Sequence, residues 1–186
     1  MITSSNLAEL LKILKFTEES NGVFKRVFDG LFDATIEVDF NAKKITYPEK
    51  IKINDATACS FAFQENFVIL ECVTRLLDKG YRPEHIELEK RWNFGHDAAK
   101  AVKSDICVSG EKGDMLLIIE CKAYGTEYAK AKKNLLADGG SLFSYWQQKG
   151  CAKRLVLYAS DIEDGKVVYE NEIINCSDDN NIILFD

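Results

Sequence analysis

The chain has 186 residues, of which 46% are hydrophobic, so it can bury one real core and reads as a single domain with a small N-terminal addition. Its formal net charge of −6 argues against a protein that coats nucleic acid by bulk electrostatics. No apolar run approaches the roughly 20 residues needed to span a bilayer, and residues 1–16 lack the basic and apolar regions of a leader, so a cytoplasmic protein without membrane association is expected.

Residues 7–15, LAELLKILK, have helical periodicity, and VFKRVFDGLF after Asn21-Gly22 reads as a second short helix or turn. TIEVDF and KKITYPE alternate around Asn41-Ala42 and predict a hairpin. Together these elements form an N-terminal extension over 1–58, packed on a core that runs from 59 to 186. SFAFQENFVILECVTRLLDKG is the best helix, stopped by Gly80. IELEKRW is a strand, and residues 104–109 are another. The turn Gly110-Glu111-Lys112-Gly113 then leads into DMLLIIECK, so the strands on either side of it pair as a hairpin.

Beyond Lys122 the period changes. TEYAKAKKNLLA and SLFSYWQQK are helical, whereas RLVLYAS and KVVYENEIINC are strands, and IILFD reads as a strand start cut short, so the chain is expected to be the front of a longer polypeptide. The predicted fold class is therefore α/β, a mixed sheet flanked by helices. The six cysteines are scattered singly among apolar neighbours, without a CxxC pair, and are expected to be reduced.

Period-two alternation puts Glu120 and Lys122 on one face of their strand and turns Cys121 the other way. Antiparallel pairing about the turn at 110–113 brings Asp105 beside Glu120. Two carboxylates at the edge of an apolar sheet repel each other unless a cation separates them, and oxygen ligands suit Mg²⁺, with Mn²⁺ as a substitute. An ammonium beside a metal-bound water could then hold the nucleophile or stabilise charge on phosphate. Glu65 is the single charge in a helix stripe of Phe61, Val68, Ile69, Cys72 and Leu76, and its expected partner is that site. Glu71, on the face of Arg75 and Asp78, reads as solvated, and Glu89 as solvated or structural. The bland alternative for Asp105, Glu120 and Lys122 is a structural ion pair at a sheet edge.

These residues resemble the PD-(D/E)XK nuclease superfamily. More closely, FQENFVILECVTRLLDKGY, the Glu89 of IELEKRW, SDICV, LLIIECK and LFSYWQQ resemble the N-terminal nuclease domain of type I restriction enzyme R subunits, over about residues 60–160. The resemblance implies a restriction-endonuclease-like mixed β-sheet flanked by helices. It also implies a Mg²⁺-dependent DNA endonuclease, with Asp105, Glu120 and Glu65 as metal residues and Lys122 positioning the attacking water. The expected partners are DNA and helicase or methyltransferase domains or subunits. The alternative is a catalytically weak nuclease-fold module for DNA binding or subunit docking. In place of the family's Gln-x-x-x-Tyr, this chain has Ser141 four residues before Tyr145, which puts the contribution of that helix in question.

Between Lys122 and Arg154, counting both ends, seven basic residues face two acidic ones, so Lys130, Lys132 and Lys133 are expected nucleic-acid contacts; the resemblance adds Tyr145, with Gln147 or Gln148 compensating for Ser141 from the next turn. No Walker loop, GxGxxG, HExxH or GxSxG occurs.

Overall fold

In a computed structural model of the chain, the described residues are 1–28, 30, 34–92, 102–138 and 152–176. Helix α1 (Leu7–Ile13) precedes a four-stranded antiparallel sheet of β1 (Thr17–Ser20), β2 (Val23–Phe28), β3 (Ala34–Asp39) and β4 (Lys44–Thr46), in chain order. The expected β3–β4 hairpin is present, with Val38 opposite Ile45. The segment read as a helix or turn is instead strand β2, which pairs along β3 from Val23 to Phe28. Its buried residues are Phe24 and Phe28, and a spacing of four suits the same face of either a helix or a strand, so periodicity could not separate the two. The N-terminal part is thus a full sheet rather than one hairpin.

The second sheet has six strands in the order β10-β9-β8-β7-β6-β5, namely β5 (Lys52–Ile53), β6 (Ile86–Trp92), β7 (Val102–Ser109), β8 (Met115–Cys121), β9 (Arg154–Glu163) and β10 (Lys166–Asn175). β6, β7 and β8 run antiparallel in succession, and β9 lies parallel to β8. A parallel neighbour needs a crossover, and α3 (Thr126–Asp138) lies within that connection. The β7–β8 turn closes where the glycines predict, with Gly110 N–H donating to the Asp114 carbonyl at 2.7 Å.

Helix α2 (Glu65–Asp78) enters from the loop after a 3₁₀ turn at Ala56–Cys59 and stops at Gly80, whose φ of +88° only glycine adopts without strain. Every α2 residue from Asn66 to Leu77 except Arg75 is buried. A single hydrophobic cluster joins this helix to Leu10, Phe24, Ile36 and Ile45 of the N-terminal part and to Ile106, Ile119 and Cys121 of the larger sheet. Alternation sends Ile118 to the other face, where Tyr128 and Leu135 of α3 cover Leu155 and Leu157.

The five described cysteines are free thiols. No described helix is long and apolar enough to cross a membrane.

Candidate active site

The end of β8, the middle of β7 and the first turn of α2 meet at a cleft of about 290 Å³. It is lined by Glu65, Asp105, Glu120 and Lys122, the four residues singled out from the sequence. The β7–β8 register, with Ile106 opposite Ile119, continues to place Asp105 beside Glu120. As alternation requires, Glu120 and Lys122 share a face, with Lys122 Nζ donating to Glu120 Oε1 at 2.9 Å, while Cys121 is buried in the core. The same ammonium lies 3.3 Å from Glu65 Oε1, so the first residue of α2 is tied to the end of β8.

Asp105 is held from beneath, because its Oδ2 accepts the Cys121 backbone N–H at 2.6 Å. Burial and then the charge of Glu120 push its carboxyl well above the usual carboxylate range, against the opposing pull of Lys122 and the Cys121 N–H. Lys122 loses hydration, yet Glu120, Asp105 and Glu65 together hold it above the ordinary lysine value. It is therefore a fixed cation at neutral pH.

An acid whose pKa rises on folding binds its proton more tightly in the native state, so metal-free stability falls as pH climbs from about 4, the unfolded aspartate value, towards the raised folded value. Asp105→Asn removes that burden. In EDTA at pH 7 the variant is expected to melt no lower than the parent, and thermal melts from pH 4 to 8 should show less decline. A variant melting well below the parent at neutral pH would contradict the repulsion.

Glu89 and Lys103 also line the cleft, which sequence reasoning did not foresee. Of the two expectations for Glu89, solvated or structural, its burial rules out the first, and it forms an ion pair with Lys103 at 2.7 Å. In the β6–β7 register, with Leu88 opposite Ile106 and Lys90 opposite Ser104, it falls across from Asp105. Its φ of +54° is unusual for a non-glycine residue, and backbone strain of this kind gathers at functional sites. Lys103 also meets Asp55 at 3.1 Å and is raised above the ordinary lysine value, chiefly by its bond to Glu89.

Glu71 is not solvated. It is fully buried and takes the Tyr158 hydroxyl at 2.6 Å and two Arg75 nitrogens at 2.7 and 3.0 Å. Lys130 and Lys133 are exposed on α3, whereas Lys132 is paired with Glu172 of β10. Ser141, Tyr145, Gln147 and Gln148 lie outside the described residues, as does His96. His85 ends a 3₁₀ turn away from the cleft lining.

Hard oxygen donors at the cleft suit a small divalent cation in kind. Among the described residues, however, no group of three or more His, Cys, Asp or Glu side chains is arranged to hold one. Asp105 and Glu120 are two adjacent carboxylates, and Mg²⁺ is commonly held by one or two, with waters and a phosphate completing its shell. The pair fits that mode, with Glu65 reaching the centre only through Lys122 or a water.

Searches against protein-family models and curated proteins return no match for this chain.

Proposed function

We propose that the chain is a Mg²⁺-dependent DNA endonuclease domain of the PD-(D/E)XK kind, resembling the nuclease domain of type I restriction enzyme R subunits. The observation that carries this reading is the convergence of Asp105, Glu120, Glu65 and Lys122 on one cleft. The order of α2, three antiparallel strands, α3 and a parallel strand supports it. Asp105 and Glu120 would hold the ion, which supplies charge neutralisation on the phosphate and an acidified water. Lys122 stays protonated, so its part is to orient the water and meet negative charge developing on phosphate, rather than to accept a proton. Glu65 keeps that ammonium aimed at the cleft. Helicase or methyltransferase domains or subunits would supply target choice.

The second reading, a catalytically weak module for DNA binding or docking, is favoured by one observation. Lys122 already satisfies Glu120 and Glu65 from within the chain.

Digestion of several unrelated supercoiled plasmids at about 0.1 M salt, with Mg²⁺, Mn²⁺ or EDTA, separates the two readings. The expected result is slow nicking at scattered positions with either metal and none with EDTA. Intact plasmid in every metal would favour the module, and discrete fragments would point to a self-sufficient restriction enzyme.

The α3 lysines give a separate expectation. Lys130→Gln with Lys133→Gln should weaken DNA binding irrespective of sequence and flatten the dependence of log K on log salt by roughly 2, close to one unit for each phosphate that is no longer neutralised. Lys132→Gln should change the slope little, because that ammonium is already neutralised by Glu172. A slope unaltered in the double variant would make the run an ordinary solvated helix face.

A further inference from the structure

At the mouth of the cleft stands Phe63, 59% exposed, on the short loop that leads into α2. A nearby phenylalanine in the same loop is placed differently. Phe61 turns inward and joins an edge-to-face series with Phe40 and Phe67, at centroid distances of 5.5 and 5.3 Å. Phe63 turns outward into the rim shared with Asp105, Glu120 and Lys122.

The loop is hydrogen-bonded to the start of α2. Asn66, itself buried, donates its side-chain N–H groups to the carbonyls of Thr57 and Ser60, both at 2.8 Å. Asp55 caps the preceding turn by accepting from Thr57 N–H at 3.0 Å. A single exposed phenyl ring is ordinary in itself; what sets this one apart is its place on the rim of the charged cleft, where its apolar face stays in water unless a flat ligand group covers it.

The charges around it identify the ligand's other half. Lys103 and Lys122 face the four carboxylates of Glu65, Glu89, Asp105 and Glu120 in the same cleft and form ion pairs among them, so a phosphate would enter together with a cation on the Asp105–Glu120 pair, beside the Lys122 ammonium. A phosphate beside a flat apolar platform describes a nucleotide whose base is out of the helical stack. At about 290 Å³ the cleft lies at the small end of ligand pockets, suited to one nucleotide rather than a paired step.

We infer that Phe63 stacks on an unpaired nucleobase next to a phosphate held by Lys122 and by a cation on Asp105 and Glu120, so that the substrate is single-stranded or locally unpaired DNA. This inference rests on the nuclease reading for the identity of the phosphate, but the stacking can be measured without cleavage. It also accounts for an acidic chain engaging DNA at all, since base stacking supplies affinity that a handful of phosphate interactions cannot.

The test uses single-stranded and duplex oligonucleotides of one sequence carrying 2-aminopurine, with Ca²⁺ in place of Mg²⁺ so that the carboxylate pair keeps a cation while cutting is suppressed. The parent should bind the single strand in preference to the duplex and quench the probe. Phe63→Ala should lower that preference roughly 5- to 150-fold and abolish quenching, and Phe63→Trp should restore both. Overlapping melting curves for the three proteins would exclude misfolding. Unchanged preference and quenching in Phe63→Ala, or a tighter grip on duplex by the parent, would overturn the inference. Quenching by a parent that cuts nothing in Mg²⁺ would sink the nuclease reading alone and support stacking.

Discussion

Replacing Lys122 by Met should lower Mg²⁺-dependent turnover by at least about 100-fold while leaving Mn²⁺ affinity equal or tighter. The ammonium lies 2.9 Å from Glu120 and 3.3 Å from Glu65, so it competes with a metal ion for the same oxygens. Removing it takes away the group proposed to face the transition state and at the same time frees the ligands. Stability should respond too. Without metal the variant leaves three neighbouring carboxylates with no shared cation, a loss of about 1–3 kcal/mol after allowing for the partial exposure of the pair. Mn²⁺ should then raise the melting temperature of the variant more than that of the parent, through binding to the folded state alone. Calorimetric titration and melts check this, and loss of metal binding together with turnover would withdraw the proposed role.

The largest expected loss of stability belongs to a residue outside the cleft. Glu71→Ala strips partners from the Tyr158 hydroxyl and the Arg75 guanidinium at once. Arg75 lies 4.1 Å over the Tyr169 ring, and Tyr158 and Tyr169 stack at 6.1 Å, so the carboxylate anchors a network that joins α2 to β9 and β10. Burial and then Glu71 push the Tyr158 phenol well above its ordinary value, so it remains a donor at any practical pH. Breaking a buried charged pair from one side costs about 3–5 kcal/mol, and the partial exposure of Arg75 sets the expectation near about 3. For a chain of this length that is a fall in melting temperature of roughly 6–12 °C. Glu71→Gln, which still accepts one hydrogen bond, should lose less. A Glu71→Ala protein that melts with the parent would mean that Glu71 is hydrated in solution.

Much of the cleft was legible because its residues sit on elements with clear local signals. The glycines at 110 and 113 fix where β7 and β8 turn, which brings Asp105 to Glu120, and the apolar run before Glu120 fixes which side chains share a face. Glu65 was reached from a stripe that began at Phe61, but α2 starts at Glu65 itself, and its side chain is part-exposed at the helix end rather than set among apolar neighbours. Glu71 was misread because a stripe on one face assumes a helix with one dry side, whereas α2 is covered by both the larger sheet and the N-terminal part. Glu89 and Lys103 meet only through the register between β6 and β7, which neither strand announces. Phe61 and Phe63 are identical residues in one irregular loop, one packed between Phe40 and Phe67 and the other exposed, and no periodic pattern encodes that choice.

The proposed centre is tested most directly by one ratio, the rate of supercoiled plasmid nicking by the parent over that by Asp105→Asn, prepared in parallel and assayed in Mg²⁺. Both carry the same background of contaminating nucleases, and the substitution relieves a burial cost and a repulsion that outweigh the attraction to Lys122, so a folding defect should not mask the result. The account predicts a ratio of at least about 100, abolished by EDTA, with a variant that melts no lower than the parent. Equal rates from two folded proteins would contradict it.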